Sequence, residues 1–167
     1  MGTEPVPTAA SRSTLSRIMT SLDVNLLGTV HGGVVMKLVD DVAGVAAARH
    51  SRGNAVTAAM DEMVFLRPVR IGDLVQVHAQ VNWAGRTSME VGVRVTAERW
   101  NETEPAQHVA SAYLAFVAID DEGRPRTVPA LLADTDDDRR RFAEAQIRRS
   151  HRLARRAEIQ ASRARGS

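Results

Sequence analysis

Residues 34–48 read Val34-Val35-Met36-Lys37-Leu38-Val39-Asp40-Asp41-Val42-Ala43-Gly44-Val45-Ala46-Ala47-Ala48, and this run decides the fold. It is apolar on nearly every face of a helix, and a helix that is apolar all round is normally buried. The helix is expected to extend from His31 to about His50. Gly32-Gly33 mark its start, Arg49, His50 and Arg52 suit the negative end of its dipole, and Gly53-Asn54 supply a stop. Asp40 is the anomaly within it. Burying a carboxylate costs several kcal/mol unless something compensates it.

Downstream of the helix the hydrophobic period changes to two. Residues 55–65 are strand-like and end at Arg67-Pro68, and residues 74–81, 89–96 and 109–119 alternate as half-buried strands do. Ala84-Gly85-Arg86 reads as a hairpin and Asp120-Asp121-Glu122-Gly123 as a turn. Upstream, residues 15–21 read as a short strand and 22–30 as a loop containing Asn25 and Gly28. Several antiparallel strands after one buried helix predict an α+β protein whose curved antiparallel sheet wraps a long central helix. A C-terminal helix is predicted from about Asp136, with Asp134, Asp136, Asp137 and Asp138 at its positive end and arginines toward its negative end. Its apolar side is thin: Phe142, Ala145, Ile147, Leu153 and Ile159. The chain is therefore read as a disordered tail over 1–12, a core domain over 13–131, and an Arg-rich helix and tail over 132–167.

A chain of 167 residues has the length of one domain. Aromatics are only 4% of it, so the core must be built from Val, Ala, Leu and Ile. The absence of cysteine removes disulfides, thiolate metal sites and cysteine nucleophiles together. A pI of 9.9 coexists with a net charge of only +2, because all but one of the 22 basic residues are Arg and titrate only at high pH. Such a pI is weak support for nucleic-acid binding. No stretch reaches the roughly 18 apolar residues of a membrane span, and the N-terminus lacks the pattern of a secretory signal. A cytoplasmic protein without membrane insertion is the expectation.

The candidate chemistry centres on Asp40. Asp40 and Asp41 point about 100° apart on a helix, so one of them faces any single cleft. Lys37 can pair with either, which leaves open a plain polar stripe. The apolar density around Asp40 argues equally for at least one acid being partly desolvated, which would raise its pKa toward general-base values. Asn25 in its loop has an ordinary reading as a local turn residue. Gly32 and Gly33 either permit tight packing or let a ligand approach the free N–H groups of the helix start. His31 beside them caps, packs or takes part in chemistry. No metal-ligand spacing links the five His residues, and no nucleophile elbow, P-loop or dinucleotide glycine pattern is present. The Arg-rich C-terminal helix lacks the aromatic partners of an RNA-binding surface and reads as a solvated face.

The string Asp23-Val24-Asn25-Leu26-Leu27-Gly28-Thr29-Val30-His31-Gly32-Gly33, followed by Met36-Lys37-Leu38-Val39-Asp40-Asp41-Val42-Ala43-Gly44, resembles the signature of hotdog-fold acyl-CoA thioesterases, nearest to the cytosolic, brain-type acyl-CoA hydrolase group. Ala47-Ala48-Arg49-His50, Val56-Thr57-Ala58, Phe65-Leu66-Arg67-Pro68-Val69 with Gly72-Asp73, and Thr87-Ser88-Met89-Glu90-Val91 extend the similarity, which runs from about Thr14 to Arg141.

The resemblance implies hydrolysis of a fatty acyl-CoA to fatty acid and CoA, with no cofactor and no metal. It assigns Asp40 as the base that activates water, with direct carboxylate attack through an anhydride as the alternative. Asn25 would orient the water or the thioester, and the Gly33 N–H would hold the oxyanion. His31, Gly32 and Thr57 line the substrate site, and Arg49, Arg67, Arg86, Thr87 and Ser88 are candidates for the CoA phosphates. It also implies a homodimer in which Asn25 of one protomer meets Asp40 of the other, assembled further as a trimer of dimers. A non-catalytic acyl-CoA sensor on the same fold is the alternative function, and a hotdog dehydratase is disfavoured because no His-based acid/base pair is evident.

Overall fold

The computed structural model describes residues 4–165. Its long central helix, α2 (Gly32–Ser51), is followed by β3 (Ala55–Phe65), β4 (Asp73–Ala84), β5 (Ser88–Arg99) and β6 (Gln107–Ala118). With β2 (Ser13–Ile18), these strands form one antiparallel sheet in the order β2-β4-β5-β6-β3, and every strand touches α2. This is the expected hotdog arrangement of a sheet wrapped around a helix.

The alternation read from the strands sets the inner face. Val75, Val77, Ala79 and Val81 of β4, Met89, Val91, Val93 and Val95 of β5, and Ala110, Ala112, Leu114 and Phe116 of β6 are all buried. They meet one side of α2, made of Val35, Leu38, Val39, Val42, Ala43, Ala46 and Ala47. Small helix residues bring α2 close to the sheet, so a core with few aromatics still packs. Two irregularities in β3, at Thr57/Ala59 and Met60/Glu62, break its register with β6. Bulges of this kind bend a strand and re-aim its side chains.

Three expectations are corrected. The helix is not buried all round: Met36 and Val45 are 41% and 46% exposed, and Asp40 lies on the same open side. Its left-handed terminal residue is Arg52 (φ 56°), and the side-chain-free Gly53 leaves room for the Arg126 guanidinium. The segment before residue 13 is not a disordered tail, although residues 1–3 lie outside the described residues. β1 (Val6–Pro7) pairs in parallel with β7 (Leu131–Leu132), and α1 (Thr8–Ser11) follows it. Val6, Thr8 and Ser11 are buried, and the Ser11 hydroxyl accepts a hydrogen bond from the backbone N–H of Val81 at 2.9 Å. That hydroxyl satisfies a donor beside the irregularity in β4 at Val81/Trp83.

His50 is fully buried, with Nε2 3.0 Å from the carbonyl oxygen of Pro129 and Nδ1 without a partner. Burial lowers its pKa below the ordinary 6.5, and repulsion from Arg52 acts in the same direction, while the Pro129 bond opposes both. The unfolded chain therefore binds this proton more readily than the folded one. Stability is expected to be level above about pH 6.5 and to fall as the pH drops below it. Thermal melts from pH 7.5 to 5 should show that decline, and His50→Gln should flatten it. Equal slopes for both proteins would remove His50 as the cause.

The C-terminal helix α3 (Asp136–Arg165) lies across the outer face of the sheet. Asp138 accepts from Gln80 of β4 at 3.3 Å. Arg148 pairs with Glu90 of β5 at 2.7 Å and stacks on Tyr113 of β6, 3.6 Å from its centroid. Arg152 pairs with Asp61 of β3. Of the five apolar residues expected to face inward, Ala145 is fully buried, whereas Ile147, Leu153 and Ile159 are about half exposed. Charge rather than apolar area therefore anchors this helix. The Glu90 side chain is 3% exposed, so Arg148→Ala leaves its carboxylate buried and unpaired. A loss of about 3 kcal/mol is expected. Chemical denaturation measures it, and a loss below about 0.5 kcal/mol would mean that the pair behaves as an ordinary surface bridge.

Candidate active site at the open face of the central helix

The loop that enters α2 is held from both sides. Asp23, buried at 4% exposure, accepts from the N–H of Thr20 at 2.8 Å and from Arg17 at 2.6 Å. The Thr20 backbone bond first, then its hydroxyl and Arg17, hold the Asp23 pKa below the usual carboxylate range against the opposing effect of burial. Its own carbonyl receives the N–H of His31 at 2.7 Å. Asp23 thus fixes the distance between the loop and the helix start, a role that the sequence reading did not assign. The capping residues Thr20 and Asp23, three apart, were the available signal.

Within the loop, the N–H of Asn25 donates to Thr29 O at 2.8 Å, and Gly28 turns the chain at φ 76°. The Asn25 Oδ1 accepts from the backbone N–H groups of Leu27 (2.9 Å) and Thr29 (3.2 Å), and Nδ2 donates to the Thr29 hydroxyl at 3.0 Å. Asn25 therefore makes the local turn bonds of its ordinary reading. It is half-buried, and Leu26 and Leu27 beside it project fully exposed.

His31 is the N-cap of α2 and is exposed, and its carbonyl accepts from Val34 N–H at 2.9 Å. The N–H groups of Gly32 and Gly33 precede the first intrahelical bonds and have no acceptor among the described residues. A side chain on Gly32 would touch the Phe65 ring at 3.5 Å, whereas one on Gly33 would meet open space. Gly33 is also the more exposed of the two.

Gly33, Lys37, Asp40 and Gly44 follow one another at spacings of four, three and four, which places them on one side of α2. Lys37 pairs with Asp41 at 2.7 Å and not with Asp40. Asp40 instead receives the Thr57 hydroxyl at 2.6 Å. Thr57 lies at the first irregularity of β3, where the strand passes beneath the helix. The expectation of a desolvated acid is corrected for the protomer: Asp40 is exposed. Asp40 lies seven positions after Gly33, a backbone rise of about 10 Å.

The candidate phosphate ligands do not converge within one protomer. Arg67 borders a cleft of about 350 Å³ with Val30, Gly32, Val35, Phe65 and Val69, and donates to Gln107 at 2.8 Å. Arg86 and Thr87 lie in the β4–β5 turn, and Ser88 opens β5 opposite Val117. That is the other end of β6 from Val109, which accepts the N–H of Leu66 beside Arg67. The two groups are therefore on the order of 25 Å apart. Arg49 is engaged elsewhere, donating to the Arg12 carbonyl at 2.7 Å and to Ser13 at 3.1 Å. Among the described residues no group of three or more His, Asp or Glu is placed to hold a metal.

A family model described as the thioesterase superfamily matches residues 27–102. The cytosolic acyl coenzyme A thioester hydrolase of Mus musculus is 37% identical over 146 residues, which cover 87% of this chain and 38% of that protein. The chain thus spans about two-fifths of the length of this relative. An acyl-CoA thioester hydrolase of Bacillus subtilis is 40% identical over 117 residues, covering 70% of this chain and 67% of that one. The solved Staphylococcus aureus acyl-CoA hydrolase, in complex with butyryl coenzyme A, coenzyme A and coenzyme A disulfide, superposes with a TM-score of 0.86 at 33% identity over 94% of this chain and 95% of its own. Alanine mutants of that enzyme have been solved at an asparagine, an aspartate and a threonine spaced 15 and 17 positions apart, the spacing of Asn25, Asp40 and Thr57 here. A hexameric acyl-CoA thioesterase superposes with a TM-score of 0.88 at 32% identity over 93% of this chain and 99% of its own. By sequence and by fold, the chain belongs to the acyl-CoA thioesterases of the thioesterase superfamily.

Proposed function

We propose that the protein hydrolyses fatty acyl-CoA to free fatty acid and CoA, at sites built between two copies of the chain. The observation that carries the reading is the open face of α2, where Asp40 is aimed by Thr57 and the Gly33 N–H is free for a ligand. β3 is an edge strand, and an unpaired edge invites a second chain. Exposed Val56, Val64, Phe65, Met36, Val45, Leu26 and Leu27 surround that edge and the open side of α2. An apolar surface of this extent calls for a partner.

Antiparallel pairing of two β3 edges about Asp61 sets Phe65 of one copy against Thr57 of the other. Phe65 touches Gly32, and Thr57 holds Asp40, so the helix start and Asn25 of one protomer come to the partner's Asp40. The same operation brings the Arg67 end of one sheet beside the partner's Arg86, Thr87 and Ser88. It thus gathers phosphate ligands that are far apart in one chain. Burial of Asp40 then belongs to the dimer, and a trimer of such dimers matches the hexameric relative.

In this site Asp40 takes a proton from water as the water oxygen attacks the thioester carbonyl. The carbonyl oxygen, now an anion, accepts from the Gly33 N–H at the positive start of α2. Collapse breaks the carbon–sulfur bond, and the proton passes to the CoA thiolate. Asn25 turns its amide from Thr29 toward the water or the thioester. Residence in the cytoplasm belongs to the same reading, supported by the cytosolic relative.

A thiol-release assay across acyl-CoA chain lengths tests the function. CoA should appear at a rate proportional to enzyme and be lost on Asp40 substitution. Tight acyl-CoA binding without thiol release would establish the sensor reading in its place.

A further inference from the structure

The C-terminal third of the chain is not used by the chemistry above. α3 crosses β4, β5 and β6 and reaches the edge strand β3 at Arg152. Thirteen helical residues remain beyond that point, and residues 153–165 are all exposed. At 1.5 Å per residue they extend about 20 Å past the edge of the sheet. Leu153 and Ile159, 46% and 45% exposed, add apolar area to this segment.

A cleft of about 300 Å³ opens where α3 leaves the sheet, lined by Asp61, Glu62, Arg148, His151, Arg152 and Arg155. Asp61 is 8% exposed in its side chain and bonds Arg152 through Oδ2, while Oδ1 is buried without a hydrogen-bond partner. Glu62 is exposed and without an ion-pair partner among the described residues. A buried acceptor of this kind requires a donor. The facing groups of α3 are Arg148, which is tied to Glu90, Arg152, His151 and Arg155. Arg156, one position further along the overhang, is exposed and makes no ion pair among the described residues.

We propose that residues 153–165 dock on the outer sheet face of a second copy of this chain, across paired β3 edges, with Arg156 reaching the cleft at the partner's Asp61 and Glu62. The inference rests on the β3 pairing of the proposed active site. Strands are spaced about 4.8 Å, so a 20 Å overhang covers about four strands of a continuing sheet. The two α3 helices then run antiparallel on either side of the twofold axis, and each brings a further cation to the acids of the other's cleft, where among the described residues Asp61 Oδ1 has no hydrogen bond and Glu62 no ion pair. A nucleic acid or an anionic membrane would also accept a basic helix. Neither explains an unpaired acid beside it at the strand edge.

The test uses the full chain. Sedimentation should give a dimer or a multiple of it for the wild type. Arg156→Glu and Glu62→Arg should each weaken dimerisation about 10- to 100-fold, and the combined reversal should recover most of it. Hydrogen exchange of residues 153–165 should show protection at concentrations where the dimer forms, and none in the weakened variants below their dissociation constants. A wild-type dimer with unprotected residues 153–165 and no effect of Arg156→Glu overturns the inference and leaves the active-site reading standing. A wild type that is monomeric throughout overturns both. Protection that appears only on adding a random-sequence RNA, or vesicles of phosphatidylglycerol and phosphatidylcholine, overturns the inference in favour of those partners.

Discussion

Asp40→Asn is expected to lower acyl-CoA turnover about 10²- to 10⁴-fold, the usual contribution of a general base. Asparagine is the informative replacement because its side-chain oxygen still accepts the Thr57 hydroxyl that now lies 2.6 Å from Asp40. The helix face keeps its shape and only the proton acceptor is lost. KM and oligomeric state should therefore stay near wild type while kcat falls. Alanine would be harder to read, since it would also free the Thr57 hydroxyl and open space at the site. Steady-state kinetics of the Asn variant decide the matter, and a kcat within a few-fold of wild type would exclude Asp40 as the base.

Mixing two inactive variants should restore activity. Asn25→Ala and Asp40→Asn are each expected to be impaired, because every site of either homodimer carries one lesion. A mixed dimer has one site with Asn25 from one chain and Asp40 from the other, both intact, and a second site with both lesions. Random reassortment of equal amounts makes half of the dimers mixed, so about a quarter of the wild-type rate should return, as the two equivalent sites of a twofold dimer require. The β3 pairing, which carries Gly32 at Phe65 of one copy to Asp40 at Thr57 of the other, motivates this arrangement. A site complete within one chain predicts no recovery at all. Dissociation and re-association of the mixed variants, followed by the thiol-release assay, separates the two outcomes.

The site was legible in the sequence to different depths. Asp40 stood out because an acid in an apolar run breaks a local pattern, and Asn25, Gly32 and Gly33 stood in the resembling string. Thr57 also lies in a matching stretch, but nothing in its position shows that it holds Asp40. That contact depends on the pairing of Thr57 with Phe116, which places its side chain on the helix side of the sheet. Asp23 read as part of the loop over 22–30, and its work as the anchor between Thr20, Arg17 and His31 becomes visible only when these groups are assembled. The phosphate candidates were assembled from matching stretches and charge without geometry. Arg49 proved to serve the N-terminal segment, and Arg67 and Arg86 lie at opposite ends of the sheet.

The sequence by itself determined the helix, the alternating strands, their order along the chain and the acid at the centre. Each of these rests on periodicity or on a residue out of place within a short window, and such signals survive without knowledge of distant neighbours. Only the tertiary structure decided which side of α2 stays open, that Ser11 fills a gap beside β4, and that Glu90 and Asp61 draw α3 across the sheet. These outcomes depend on residues more than 50 positions apart being brought into register. No local pattern encodes such a pairing, because its energy exists only once the sheet has closed around the helix.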